Sequence, residues 1–574
     1  MIHNVDGGGF YTKWLNDFAD TQVFDNITYS TNGALPDCIP YYGHGHESAD
    51  AGWGIAAWTI TDWFSDYYAD DVFDVAWYPN MKWYMENWIS LAQKNPSGLF
   101  PLFSWGDWAN FVPGPYAFKT PEYPQFFYIR ALEITAKFAT RLGFSADAAK
   151  YTALATAARS LYVSTFYNAT SGCFAGCTYV SQVFALTLGL AGPQGSPAEV
   201  AAWGNAMDWW SASATHGIPE HFGGGIISLK LALPLLDAHG ESGLALKMHL
   251  QSDEPPGFGY WVKVGGATTL WEQYNMDATH GTASRNHIMF GAAGSWYYST
   301  LAGLGRAPDS RSWQNLVISP PYAADVLSQL SWAGASIDSP MGLVGSSWSA
   351  ADPGAPQPSC GEAAEKGLLH LTCVDPASGK VGDGVFTAVD FASYGTPIGA
   401  CPTFQKNATC DGEDTAAAVA ALCLGKSACT LNATTNAMNK GKECVKRGGC
   451  APPDKHILIR PPAPPHPPPT HHPCSPCFDT YKYLAVKLSG PKCAAPPLFT
   501  VGATVPVGGA AKVRVPTMAA GSSAVIREGG AVVWQAGAFV PGVPGITGAT
   551  ASSNGDNVSF SVGSGSYSFG VFAA

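Results

Sequence analysis

The chain has 574 residues, of which 46% are apolar and only 13% charged, and a net charge of −12. That balance excludes a disordered chain, and with no Lys/Arg run it argues against nucleic acid or an anionic membrane surface as a partner. The length allows two or three cores, and no stretch nears the roughly 18 uninterrupted apolar residues of a membrane span, so no membrane insertion is expected.

Up to about residue 306 the pattern is helical. Residues 126–142 place Phe127, Ile129, Leu132, Ile134 and Phe138 at near-helical spacing, and Gly143 ends the run. Ser145 is expected to cap the next helix, with Ala149, Leu154, Ala157 and Leu161 on its inner face. Further helices are predicted over 182–190, 224–239, 241–250 and 287–304. Repeated helix pairs of this kind make an α/α barrel or bundle, with the chemistry carried on the loops of one rim. Eighteen of the 19 tryptophans precede residue 350, and core packing accounts for most of them.

Beyond residue 305 the texture changes to short β-rich runs separated by Gly, Pro and Ser, which predicts a β-sandwich. Eleven of the 14 cysteines fall between Cys360 and Cys493 at irregular spacings, the pattern of a disulfide framework in an oxidising compartment. Cys474-Ser-Pro-Cys477, with His471 and His472 nearby, is a zinc alternative, but a second pair at finger spacing is missing. His44 and His46 offer only two ligands, so no metal and no cofactor is expected. Five Asn-X-Ser/Thr sequons, at Asn26, Asn168, Asn407, Asn432 and Asn557, fit a secretory route. The opening residues lack the basic and apolar regions of an export signal. The expectation is therefore a secreted or cell-wall protein whose given chain begins internally.

The segment Gly265-Gly-Ala-Thr-Thr-Leu-Trp-Glu-Gln-Tyr-Asn275 carries the strongest chemical signal. It sets Glu272 behind a small-residue turn and beside Trp271, a carboxylate able to activate water next to an indole able to support a sugar ring. The plain alternative is an ordinary half-buried pair.

Seven blocks occur in order: Phe10-Tyr-Thr-Lys-Trp-Leu-Asn-Asp17, Gly33-Ala-Leu-Pro-Asp37, Ala49-Asp-Ala-Gly-Trp-Gly54, Gly106-Asp-Trp108, Gly257-Phe-Gly-Tyr-Trp261, the segment around Glu272, and Arg285-Asn-His-Ile-Met-Phe-Gly291. Together they resemble the α-L-rhamnosidase family of glycoside hydrolases. The resemblance implies a six-fold α/α barrel, incomplete at its N-terminus, over residues 1–311. It also implies hydrolysis of terminal α-L-rhamnose by inversion, with Glu272 as general base. The family's general acid precedes the first of these blocks, which places it upstream of Met1. Asp50 and Asp107 match pocket positions, with helix capping as their structural alternative; Glu47 matches none. His287 matches a substrate contact, and Trp53, Trp108 and Trp271 are the expected stacking faces.

Segments 312–321 and 341–348, and again 504–516 and 562–569, resemble the two halves of the sandwich that follows the barrel in this family. The expected boundaries are 312–355 and 496–574 for the sandwich, with 356–495 as an inserted domain. Five blocks of the insert resemble the galactose/rhamnose-binding lectin module of sea-urchin eggs. They are Cys360-Gly-Glu362, Leu369-His-Leu-Thr-Cys373, Phe391-Ala-Ser-Tyr-Gly-Thr-Pro-Ile-Gly-Ala-Cys401, Cys423-Leu-Gly-Lys-Ser-Ala-Cys429 and Pro476-Cys-Phe-Asp-Thr-Tyr-Lys-Tyr-Leu-Ala-Val486. The resemblance implies a disulfide-rich α/β fold in which Glu362, Tyr394 and Lys482 contact sugar hydroxyls. Ser475 and Asp479 depart from the module's pattern, and an extended excursion between Asn439 and Pro473, with Cys444, Cys450 and a proline run over 461–469, interrupts it. The expected partner is carbohydrate; the rival reading is a carbohydrate-binding protein without catalysis.

Overall fold

The computed structural model describes residues 7–23, 33–40, 50–101, 105–111, 122–214, 218–274, 276, 283–308, 310–350, 359–373, 384–398, 404–407, 411–412, 414–434, 482–490, 497–518 and 523–572. Glu47, His44, His46, Cys474, Cys477, Ser475, Asp479 and the proline run lie outside them. The chain divides into two compact units, one made mainly of residues 1–316 and the other mainly of 344–574.

The first unit is a succession of helical hairpins: Ala56–Tyr68 with Asp71–Lys94, Glu122–Arg141 with Ser145–Phe166, Tyr179–Thr187 with Pro197–Met207, and Ile226–Ala238 with Ser242–Leu250. Local chemistry sets their ends. Asp70 caps the second helix by accepting from Phe73 N–H at 3.0 Å, and Thr178 caps Tyr179–Thr187 by accepting from Ser181 N–H at 3.3 Å. Gly143, at φ +81°, turns the chain after Arg141 in a conformation that a side chain resists. Two details differ from expectation. Phe144, not Ser145, is the cap residue, and Ser145 is already helical. The buried stripe of that helix is Tyr151, Ala155, Ala158 and Tyr162, not Ala149, Leu154, Ala157 and Leu161. In an alanine-rich helix several stripes look equally apolar, and the two tyrosine rings decide which one faces in.

Most tryptophans are structural. Trp58 stacks on Tyr84 at 4.6 Å and donates its indole N–H to Thr135 Oγ1 at 2.9 Å, and Trp88 and Trp210 are fully buried. The same unit holds an ionic cluster: Asp74, without exposure, accepts from Ser65 Oγ and faces Arg141 and Arg311 at 3.5 and 3.4 Å.

The second unit holds the split sandwich and the insert. Gly342–Ala350 pairs antiparallel with Phe499–Val505, matching Ala350 to Phe499 and Gly345 to Thr504, so the chain leaves after Ala350 and returns to the neighbouring strand. Phe499–Val505 pairs next with Gly565–Phe572, and that strand with Val525–Glu528. A second sheet contains Ala510–Pro516, Asn557–Val562 and Ile546–Ala551. Alternating burial along Phe499–Val505 and Asn557–Val562 marks one face of each sheet as core.

Within the insert, Tyr483–Ser489 runs between Ser359–Ala364 and Ala388–Gly395, while Leu368–Thr372 pairs with Ala428–Asn432. The helix Thr415–Cys423 packs on Ala388–Gly395, and Leu369, Leu371, Val419, Leu484, Val486 and Leu488 close the core. Cys423 is bonded to Cys429, and Cys360 and Cys373 are also disulfide-bonded. Helical region, divided sandwich and α/β insert thus follow in the expected order.

Candidate functional site

Glu272 follows the short helix Phe258–Lys263 in a loop that returns on itself. Its N–H donates to Ser284 O at 2.9 Å, Ser284 N–H donates to Glu272 Oε2 at 2.7 Å, and His287 N–H donates to Leu270 O at 2.8 Å. One carboxylate oxygen is therefore fixed in direction. The side chain is half-buried, its other oxygen accepts nothing from the described residues, and no Lys or Arg among them pairs with it.

The small-residue turn has a packing cause. A Cβ on Gly265 would lie 2.6 Å from the Trp271 ring, so only glycine lets that indole sit where it does. Trp271 is 3% exposed, tilted against Trp261 at 6.1 Å, with the Arg285 guanidinium 5.9 Å from its ring centre. This corrects the expectation of an open stacking face: the indole is held inside the packing and supports the loop that carries Glu272.

His287 is half-buried and caps the 3-10 turn Ile288–Gly291, its Nδ1 accepting from Met289 N–H at 3.3 Å. That bond places the proton of a neutral ring on Nε2, leaving a donor for a hydroxyl.

Asp107 is 1% exposed and fully engaged. Its Oδ2 accepts from Gly225 N–H at 2.8 Å and Ser228 Oγ at 2.5 Å, and its Oδ1 from Ile227 and Ser228 N–H at 3.0 Å each. Tyr179 Oη donates to it as well, at 3.3 Å. The expected pocket carboxylate is thus a cap for Ile226–Ala238, a helix more than a hundred residues further along the chain. A Cβ on Gly225 would strike Trp108 O at 2.3 Å, so glycine is needed for this docking. Burial raises the Asp107 carboxyl against the pull of these donors. Burial, and after it the Asp107 carboxylate, raises the phenol of Tyr274, two residues after Glu272.

Asp50, without exposure, caps Ala51–Gly54, accepting from Gly52 N–H at 2.6 Å and Trp53 N–H at 3.2 Å. It also accepts from Trp105 N–H and from Tyr123 Oη, the latter at 3.3 Å. Neither oxygen is left open for a sugar, so capping describes both aspartates better than direct contact. Burial pushes the Asp50 carboxyl up to about 6 although the backbone donors oppose it. Because the folded value is the higher one, the native state holds a proton that the unfolded chain has lost, and this contribution to stability disappears as pH rises from about 4 to 6. The expected size is about 3 kcal/mol. Accordingly the thermal midpoint of the wild type, relative to Asp50→Asn, falls between pH 4 and pH 7 as those pKa values dictate; parallel profiles would refute it.

Trp53 and Trp108 meet edge to face at 6.5 Å, and Trp105 meets Trp108 the same way at 5.8 Å. Trp108 is 38% exposed, and Trp53 and Trp105 are half-buried. Sequence reasoning missed Trp105, although its place one residue before Gly106 in a quoted block was a signal.

In the insert, Tyr394 Oη donates to Glu365 Oε1 at 3.1 Å and Lys482 Nζ lies 3.8 Å from the same oxygen. Glu362 does not join them. It pairs in register with Ala485, whereas Tyr394 pairs with the next residue, Leu484, so the two side chains leave opposite faces of the sheet. Burial alone pushes the Glu362 carboxyl to about 8. Glu365 is the residue that strand parity selects, and the register needed to see it is absent from the sequence.

Among the described residues no cluster of His, Cys, Asp or Glu could hold a metal ion, and no helix is long and apolar enough to cross a membrane.

Residues 1–301 match the model of the bacterial α-L-rhamnosidase six-hairpin glycosidase domain, and 381–449 match that of the D-galactoside/L-rhamnose-binding SUEL lectin domain. An α-L-rhamnosidase of Alteromonas sp. (strain LOR) is 26% identical over 365 residues, which is 60% of this chain and 36% of that protein. The chain therefore spans about a third of the length of such curated relatives. The structure of an α-L-rhamnosidase from Dictyoglumus thermophilum superposes with a TM-score of 0.61 at 20% identity, over 99% of this chain and 44% of that one. That of the Streptomyces avermitilis α-L-rhamnosidase complexed with L-rhamnose gives 0.58 at 20% identity, over 98% and 36%. These two likenesses concern the fold.

Proposed function

Because the chain belongs to the bacterial α-L-rhamnosidase six-hairpin glycosidase family, whose model covers residues 1–301, we propose that it releases terminal α-L-rhamnose by inversion, with Glu272 as general base. One observation carries the reading: a half-buried carboxylate with one oxygen aimed by Ser284 N–H and the other, among the described residues, met by no donor and no Lys or Arg. Such a group stays available to draw a proton from water as that water attacks the anomeric carbon. His287 Nε2–H supplies a hydroxyl contact, and Trp53 and Trp108 supply the apolar face. Asp50 and Asp107 shape the loops instead of touching sugar.

Their engagement favours a second reading, carbohydrate binding without catalysis, since neither offers an open carboxylate to protonate a leaving group. Proton NMR on an aryl α-L-rhamnoside separates the two. Inversion yields β-L-rhamnose first; α-L-rhamnose first would remove Glu272 from this role, and binding without release would establish the second reading.

For the insert, residues 356–495, the reading is a lectin module in which Glu365, Tyr394 and Lys482 meet sugar hydroxyls and Glu362 does not. The disulfides Cys173–Cys177 and Cys423–Cys429 support a secreted or cell-wall setting.

A further inference from the structure

Three segments distant in sequence are closed into one polar triangle beside the exposed tryptophan. Asp37 Oδ1 accepts from Asp50 N–H at 2.7 Å, and Asp37 Oδ2 accepts from the Trp105 indole N–H at 3.2 Å. Asp50 completes the figure by accepting from Trp105 N–H. Trp105 is thus held at both its backbone and its ring, each time by a carboxylate. Its ring in turn sets the edge of Trp108 at 5.8 Å, and Trp108 sets that of Trp53, whose N–H rests on Asp50.

We propose that Asp37 is a positioning residue for the sugar-binding face: it locks the Trp105 ring, and through it the angle at which Trp108 and Trp53 meet a sugar. The inference rests on the reading of Trp53 and Trp108 as that face. Asp37 itself touches no sugar. Among the described residues it bonds both to the turn bearing Trp53, at Asp50 N–H, and to the loop bearing Trp105 and Trp108, at the Trp105 indole, and loss of the indole bond removes one restraint on the χ angles of that ring.

Chemistry separates the two arms of Asp37. Asparagine keeps a carbonyl oxygen for Asp50 N–H but turns an amide NH2 toward the indole N–H, donor against donor. Phenylalanine at position 105 removes the same bond from the other side while keeping an aromatic ring. The test uses the full chain, with Asp37→Asn, Trp105→Phe and the double variant. Two quantities are read: the Kd for L-rhamnose, and the near-UV circular dichroism of the tryptophans.

The expected result is a Kd raised about ten-fold by each single substitution, with the double variant no more than about two-fold weaker than either. Turnover of an aryl α-L-rhamnoside at saturation should stay within about two-fold, since Asp37 acts on ring placement and not on the proton transfer at Glu272. Asp37→Asn should weaken the near-UV bands of the tryptophans, and in the Trp105→Phe background it should change them no further. An unchanged Kd for Asp37→Asn, or additive losses in the double variant, would overturn the proposal. If the wild type binds no L-rhamnose, the function proposed above fails on its own, and a near-UV spectrum that Asp37→Asn leaves unchanged, or still changes in the Trp105→Phe background, decides against Asp37 as the lock.

Discussion

Glu272→Gln is expected to lower turnover of an aryl α-L-rhamnoside by at least about a thousand-fold while leaving the affinity for L-rhamnose within about two-fold. The glutamine is nearly isosteric, and its carbonyl oxygen can still accept from Ser284 N–H, so the loop keeps its 2.7 Å anchor. What is lost is the capacity to take a proton. In an inverting reaction the water must be deprotonated as it attacks, and no covalent intermediate offers a detour. The loss should therefore fall on kcat, with the melting profile unchanged. Turnover within ten-fold of wild type would show that another group activates the water.

Asp107→Ala is expected to destabilise the helical unit by about 3–5 kcal/mol, a drop of about 5–10 °C in the thermal midpoint read by far-UV circular dichroism. The reason is the number of donors that lose their acceptor at once. Gly225, Ile227 and Ser228 N–H all point at the N-terminus of Ile226–Ala238, in a place closed to water. Asp107→Asn should cost less, because one oxygen survives for Ile227 and Ser228 and the Ser228 hydroxyl can turn to accept from the new amide. A residue whose work is sugar contact would behave in the opposite way: weaker binding, with the same midpoint. Unchanged stability of the alanine variant would return Asp107 to the pocket.

The two predictions mark how far the chain could be read. The signal that singles out Glu272 is a short, local pattern: a small-residue turn, an indole and a carboxylate in eight consecutive residues from Gly265. The helical hairpins were legible for the same kind of reason, since a 3.6-residue period and a glycine at positive φ, as at Gly143, act within one turn of chain. The interruption of the sandwich was legible through a resemblance, because segments 312–321 and 341–348, and again 504–516 and 562–569, each resemble one half of the sandwich of that family.

The remaining assignments depended on what each side chain meets after folding. Asp107 precedes a turn and looks like a local cap, yet its donors lie on a helix far along the chain. The resemblance pointed to Glu362; strand pairing sends Glu362 to the face away from Tyr394, and Glu365 stands beside that tyrosine instead. Trp271 belongs to the right motif but is enclosed by Trp261 and Gly265. Residue type and local period were settled by the sequence itself, because they follow from covalent structure and neighbouring side chains. Which oxygen stays free, and which ring stays open, was decided by tertiary contacts, because hydrogen-bond donors from distant segments compete for the same few acceptors.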